Sequence, residues 1–298
     1  MANPSIELIP GTVCELGEGP FWDTDQARLL FVDIIGRRVL TMVPATGAVT
    51  RVPTEDFPTA IALRRGGEGA IVSMAGGVVL FDLASGETTP FATPDAMDGN
   101  RLNEAKCDPA GRFWTGSMQT NLMPDGSPRA MDRNSGALFR VDPDGSVTQA
   151  SPHEIGISNT MAWTADGATF YFGDSLRNTI FAYDFDAGTG TPSNPRPFFS
   201  GYPHGVPDGS TIDTDGCLWN ARYGGGRLVR ISPRGEIDRE IELPVANPTS
   251  CAFGGPDFRT LYVTSARGED AAAASPADGS LLAIEGLAQG LAPDRFAG

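Results

Sequence analysis

The sequence predicts an all-β fold, a six-bladed β-propeller of four-stranded antiparallel blades, and three observations lead there. Short β-branched or alternating runs such as Arg28-Leu-Leu-Phe-Val-Asp33 and Thr169-Phe-Tyr-Phe-Gly173 dominate the chain, with almost no 3.6-residue periodicity. Turn signals separate them: Pro44-Ala-Thr-Gly47, Asp108-Pro-Ala-Gly111, Asp142-Pro-Asp-Gly145, Ala165-Asp-Gly167 and Asp213-Thr-Asp-Gly216. A larger unit then recurs, a small or apolar strand, an Asp-Gly turn, an aromatic strand, a loop and a strand ending near Asp. Its starts near 19, 59, 103, 159, 208 and 249 are spaced roughly 40 to 56 residues apart, the period of a four-stranded blade.

The units can be followed in order. The first opens at Gly19 and holds Arg28–Asp33; the second opens at Thr59 and holds Gly69–Ser73 and Val78–Asp82. In the third, Cys107-Asp-Pro-Ala-Gly-Arg-Phe-Trp-Thr-Gly116 leads to Gly136-Ala-Leu-Phe-Arg-Val-Asp142. Met161–Gly167, Phe170–Asp174 and Ile180–Asp184 make the fourth; Ile212–Trp219 and Arg227–Ile231 make the fifth. Cys251–Asp257, Thr260–Thr264 and Ser280–Ile284 make the sixth, with Asp270–Asp278 expected as a flexible or weakly helical excursion. Ser5–Ile9, running on to Val13, precedes the first unit and is expected to supply the outer strand of the last, closing the ring and removing its edges. Residues 1–298 therefore read as one domain rather than two packed sandwiches, since no linker interrupts the repeat.

Composition narrows the chemistry. There are 22 Lys+Arg against 37 Asp+Glu, a formal net charge of −15. The 37 glycines and 24 prolines are about a fifth of the chain, punctuation-rich but short of low complexity. Lys106 is the only lysine and lies in Ala-Lys-Cys, so no Walker A motif exists. With only His153 and His204, a three-histidine metal site is impossible. The acidic balance argues against nucleic acid as partner, and no apolar run is long enough for a membrane helix. The N-terminus lacks the basic and apolar regions of a signal peptide, and Cys14, Cys107, Cys217 and Cys251 form no CxxC pair. Buried reduced thiols and a cytoplasmic location are expected. No Gly-x-Ser-x-Gly elbow occurs, and neither Asp142-Pro-Asp-Gly nor Asp213-Thr-Asp-Gly continues as a calcium-binding loop.

In a propeller the openings of the innermost strands converge on the central channel. Polar residues cluster at those openings: Glu18 in Leu16–Trp22; Arg101, Asn103 and Glu104 in Asn100–Ala105; Asn159 in Gly156–Met161; Asp208 in Val206–Ser210. Two carboxylates and an amide brought together would make a hard oxygen site for a divalent cation. Asn and Asp beside Gly are equally at home as turn formers, so spacing leaves both readings open. Trp22, Trp114, Trp163 and Trp219 recur at similar blade positions and are expected in the inter-blade core; His204 is expected as a solvated loop residue.

Several longer strings carry a resemblance: LGEGPFW (16–22), RLNEAKCDPAGRFWTGSM (101–118), GISNTMAW (156–163), PDGSTIDTDGCLWNARYGGGRLVRISP (207–233) and TSCAFGGPDFRTLYVTSA (249–266). They fall in five of the six units, and with them the chain resembles the SMP-30/gluconolactonase/LRE-like family, the group of regucalcin and bacterial sugar lactonases. The resemblance implies one divalent metal held by Glu18, Asn159 and Asp208, with Arg101 and Asn103 near metal and substrate. The family commonly has Asn-Asp where this chain has Asn103-Glu104; Glu104 is kept as a substrate contact despite its longer side chain. The implied reaction is hydrolysis of a sugar aldono-1,4- or 1,5-lactone to the aldonic acid, the metal polarising the carbonyl and Asp208 serving as general base. The candidate ions are Ca²⁺, Zn²⁺, Mg²⁺, Mn²⁺ and Fe²⁺. Two rivals are a divalent-cation-binding regulatory protein and a phosphotriesterase-like hydrolase on the same propeller.

Overall fold

The computed structural model describes residues 4–66, 69–268 and 275–298. They contain strands, turns and loops and no helix, hence none long and apolar enough to cross a membrane. The strands form six four-stranded antiparallel sheets, and neighbouring sheets pack around a ring, a six-bladed β-propeller. The innermost strands of blades one to six are Gly17–Asp23, Pro58–Leu63, Asn100–Cys107, Ser158–Trp163, Val206–Ile212 and Asn247–Gly254. Each expected unit start falls within one of these strands.

Closure is as expected. Ile6–Leu8 pairs antiparallel with Leu282–Glu285 in blade six, in the register Ile6 to Ile284, Glu7 to Ala283 and Leu8 to Leu282. The strand is shorter than the Ser5–Val13 segment because Pro10 has no N–H for a ladder. Of the excursion expected at Asp270–Asp278, residues 270–274 lie outside the described residues. Ser275–Asp278 forms a turn in which Asp278 accepts from the backbone N–H of Ser275 and Ala246.

The core fills the spaces between blades. Trp22, Trp114, Trp163 and Trp219 are all buried there: Trp22 stacks on Tyr262, Trp114 leans on Trp163, and Trp219 meets Phe253 edge-on. The Asp-Gly turns do more than reverse the chain. Asp108 accepts the indole N–H of Trp114 at 3.0 Å, and Asp213 that of Trp219 at 2.8 Å, so each turn acid locks a core tryptophan. Both acids are buried and ion-paired, with Arg112 and Arg230.

All six innermost strands carry a β-bulge at the same depth. The register shifts between Glu18 and Phe21, Pro58 and Ala60, Leu102 and Ala105, Asn159 and Met161, Pro207 and Ser210, and Pro248 and Ser250. Blades two, four and six skip a single threonine, Thr59, Thr160 or Thr249. Blades one, three and five skip two residues, and Glu18, Glu104 and Asp208 lie at or beside those bulges. A bulge unpairs the backbone and re-aims the side chain, so the acids of alternate blades are aimed into one channel. Gly19 shows the local requirement: φ is +55°, and a Cβ there would stand 2.9 Å from the Cα of Ala60 in the next blade.

Past the last strand the chain crosses one mouth of the channel. Gly290 bridges to Asp213 of blade five, and Phe296 bridges to Arg64 of blade two. Phe296 is fully buried, edge-on to Phe91 and Phe113.

Candidate active site at the channel bulges

The bulges bring together the residues that the sequence singled out. Glu18 and Asp208 come from blades one and five and stand close enough that the Asp208 charge acts on the Glu18 carboxyl. Both are buried. Burial pushes the Glu18 carboxyl well above the usual range, and the Asp208 and Glu104 carboxylates push it further. Asp208 is raised chiefly by burial and then by Glu104. The pair holds on to a proton that an exposed pair would release.

Asn159 enters from blade four. Its Nδ2 donates to Ser175 Oγ at 2.9 Å, which turns Oδ1 the other way to accept from Asn103 Nδ2 at 3.3 Å. Ser175 Oγ in turn donates to the carbonyl of Pro207, the residue before Asp208, at 2.6 Å. Thr160 Oγ1 donates to the carbonyl of Asp208 at 2.5 Å. Blades four and five are thus tied on both sides of the Asn159–Asp208 pair. In the same way Thr249 of blade six donates to the carbonyl of Gly17, beside Glu18.

Asn103 and Arg101 rise from blade three. Asn103 spends both amide hydrogens, on Ser158 O at 2.8 Å and Asn159 Oδ1 at 3.3 Å, and its Oδ1 accepts from Arg101 Nη1 at 2.7 Å. One acceptor lone pair is what it retains for a ligand. Arg101 donates to Asn121 Oδ1 from Nε at 3.1 Å and Nη2 at 2.9 Å, and from Nη1 to Leu102 O and Asn103 Oδ1. That leaves one Nη2 hydrogen. The guanidinium is buried with neutral partners, and burial lowers it to about 10 against the opposing pull of Glu18 and Asp208.

Glu104 is placed differently. It is buried in the wall of a cavity of about 360 Å³ lower in the channel, between blade walls that include Ile61, Trp163 and Phe253. Lys106 lines the same cavity and donates from Nζ to Ser210 O at 2.6 Å. Burial raises the Glu104 carboxyl while Lys106 lowers it. Glu104 acts on Glu18 and Asp208 through its charge, from the cavity side. His204 is an exposed loop residue as expected, its ring against Tyr202.

Sequence reasoning passed over Asn121, Ser175, Asn178 and Arg222. All four act through side-chain contacts between segments far apart in the chain, which leave no local signature.

Glu18, Asn159 and Asp208 fit a divalent ion by chemistry and by satisfaction. They offer hard oxygens, and Asp208 Oδ1 is buried with no hydrogen-bond donor, an arrangement that a cation would complete. Among the described residues no three His, Cys, Asp or Glu side chains group in metal-binding geometry; the third donor here is the amide oxygen of Asn159.

Comparison with known proteins decides the family. Residues 16–267 match the family model described as SMP-30/Gluconolactonase/LRE-like region. This chain belongs to that family. It is similar to regucalcin of Xenopus laevis, 37% identical over 305 residues covering all of both chains. Among solved structures, a luciferin-regenerating enzyme matches with a TM-score of 0.85 and 30% identity, over 99% of this chain and 100% of that one. A calcium-binding protein, regucalcin, from Agrobacterium tumefaciens also matches with a TM-score of 0.85, at 29% identity over 98% and 99%. A family of sugar-lactone hydrolases and regucalcins is thereby the frame for function.

Proposed function

We propose that this family member is a metal-dependent sugar lactonase that opens an aldono-1,4- or 1,5-lactone to the aldonic acid. The carrying observation is the buried carboxyl pair of Glu18 and Asp208, with a donorless Asp208 oxygen, beside the fixed amide oxygen of Asn159. Glu18, Asn159 and Asp208 would hold one divalent ion, which when bound supplies Lewis-acid polarisation of the lactone carbonyl. Calcium is one candidate, since the Agrobacterium neighbour is a calcium-binding protein; Zn²⁺, Mg²⁺, Mn²⁺ and Fe²⁺ are others.

The remaining chemistry falls to the chain's own residues. Asp208 accepts a proton from the attacking water at a carboxylate oxygen and returns it to the ring oxygen as the ester bond breaks. Arg101 offers its spare Nη2 hydrogen to a sugar hydroxyl, and Asn103 offers its spare Oδ1 lone pair to another. Because both are locked to Asn121, Ser158 and Asn159, these contacts form without ordering cost. Glu104 keeps the acidic field of the site from below. Its direct contact with substrate would require the sugar to reach past the bulges. Cys14, Cys107, Cys217 and Cys251 are free and buried, in keeping with a reducing, cytoplasmic location. The partner is a small sugar lactone, with no nucleic acid or membrane involved.

A panel of aldonolactones with a pH-sensitive dye, run with and without chelator, tests this. Acid release that chelator abolishes and metal restores is expected. No metal-dependent release from any lactone overturns the reading and, if the ion still binds, favours a cation-binding regulatory protein, the alternative that the regucalcin neighbours support.

A further inference from the structure

Arg222 lies in the second strand of blade five, Leu218–Tyr223, and is 1% exposed. A guanidinium buried so deeply is costly unless its hydrogens are met. Nη2 donates to Asn178 Oδ1 at 2.6 Å and to Gly205 O at 2.7 Å; Nη1 donates to Asn220 Oδ1 at 3.2 Å; Nε points to His204 O at 3.5 Å. Its Cζ stands 5.0 Å from the Tyr202 ring centroid. Every one of these partners is neutral, so an ion pair is not what holds the side chain there.

What the partners share is Asp208. His204 and Gly205 are the segment that leads into it. On the other side, Asn220 Nδ2 donates to the Asp208 carbonyl at 3.0 Å and to Ser210 Oγ at 2.9 Å. Asn178 belongs to blade four and also donates from Nδ2 to Tyr202 O at 2.9 Å, three residues upstream of Gly205. Arg222 therefore grips the approach to Asp208, the amide that holds its carbonyl, and the neighbouring blade at once.

We propose that Arg222 is a positioning residue for Asp208: its fork, joined to Asn178, Asn220 and the carbonyls of His204 and Gly205, sets the Asp208 carboxylate against Glu18 and Asn159. The role rests on the reading of Asp208 as metal ligand and base. Gly205 and Gly225 pack backbone to backbone alongside it, a Cβ on Gly205 standing 2.9 Å from the Cα of Gly225, so little room exists for a substitute anchor. A lysine keeps the charge but has neither the planar fork nor its reach to three directions.

The experiment uses the full chain and Mn²⁺ alone as probe, by calorimetric titration, with thermal unfolding as a check on folding. R222K is expected to weaken Mn²⁺ binding by about 10-fold or more. Charge alone predicts the opposite order: R222Q, with a cation removed beside the carboxylates, would bind Mn²⁺ more tightly than wild type, whereas the positioning role has it bind more weakly. N178A retains Arg222 and is expected to show a smaller weakening; it serves as the folded test should R222K not fold. Where lactone is turned over, kcat of R222K falls by about 10-fold or more with KM within about 3-fold. Folded R222K and N178A with wild-type Mn²⁺ affinity overturn the proposal. Wild type that binds Mn²⁺ yet hydrolyses no lactone overturns the lactonase reading instead, while the Mn²⁺ series still decides the role of Arg222.

Discussion

Ser175 Oγ receives the Asn159 amide at 2.9 Å and donates to the carbonyl before Asp208 at 2.6 Å, so one hydroxyl from blade four orients one proposed metal ligand and tethers the next. Without it the Asn159 amide is free to turn, and the oxygen that faces Asn103 is no longer fixed. Partners that orient a ligand typically contribute 10–100-fold in metal affinity. Ser175→Ala is expected to weaken Mn²⁺ binding by about 10-fold while the fold survives, since the cavity created is small. Calorimetric titration checks this; unchanged affinity would mean that Asn159 is held by Asn103 alone.

Asp208 and Glu18 share a site but not a role. Asp208→Asn keeps size and an oxygen donor while removing the proton acceptor, so kcat should fall by about 10²–10⁴-fold. Glu18→Gln leaves Asp208 in place and should chiefly weaken metal binding, with activity recovered at high metal concentration. Lactone hydrolysis across a metal titration separates the two, and equal activity in both variants and wild type would place the chemistry elsewhere.

Metal binding should compete with protons here. The metal-free Glu18–Asp208 pair has carboxyls raised by burial and by Glu104, so it retains a proton into a range where exposed acids are ionised. A cation must displace that proton, and affinity rises with pH until the pair is fully ionised. The slope approaches about one proton released per ion bound, measurable as the buffer dependence of the binding enthalpy. Glu18→Gln should flatten the slope along with weakening the affinity. A wild-type Kd that does not change as pH is raised from acid to neutral would contradict the competition between ion and proton.

How far the site could be read from sequence depends on where each contact runs. The six blades were legible because turn dipeptides and strand alternation are local; Glu18, Asn159 and Asp208 stood out as polar residues at repeated strand openings, and the family resemblance joined them into one metal set. The bulges were not legible: a skipped threonine at 59, 160 or 249 looks like any strand residue until register is known. Arg222 and Ser175 read as ordinary strand and turn residues, since their partners lie in the loop before Asp208 and in the neighbouring blade. The acids of Asp108 and Asp213 read correctly as turn formers, yet their grip on Trp114 and Trp219 is a contact across six residues that turn chemistry does not announce.

Asp294 gives a separate pH signature. Its carboxyl borders the lower cavity and is pushed up to about 6 by burial and then by Asp108, with Arg65 opposing. The folded state therefore binds this proton more tightly than the unfolded chain. The associated stability is fully present below the ordinary carboxyl range and is lost as pH rises through about 6. Asp294→Asn removes the titration and should stabilise the protein at neutral pH by about 1 kcal/mol after allowance for solvent screening. Thermal unfolding of both proteins at pH 5 and pH 8 checks it: the advantage of the variant should grow with pH, and an advantage confined to acid would reverse the sign of the argument.

The C-terminal crossing should matter to the whole ring rather than to its own residues. Phe296 is fully buried against Phe91 of blade two and Phe113 of blade three, and its backbone is bonded on both sides, N–H to Leu63 O at 2.9 Å and carbonyl from Arg65 N at 2.6 Å. One residue earlier, Arg295 donates to Asp23 and Asp25 of blade one. Three blades are thus fastened by two adjacent side chains at the mouth opposite the metal-site bulges. Phe296→Ala leaves a cavity in the blade two–three core and should cost about 3–5 kcal/mol. Denaturant unfolding measures that loss. Because the site residues sit at the other end of the channel, the folded variant should keep wild-type Mn²⁺ affinity at low temperature; a loss of affinity without a loss of stability would show that the crossing shapes the site directly.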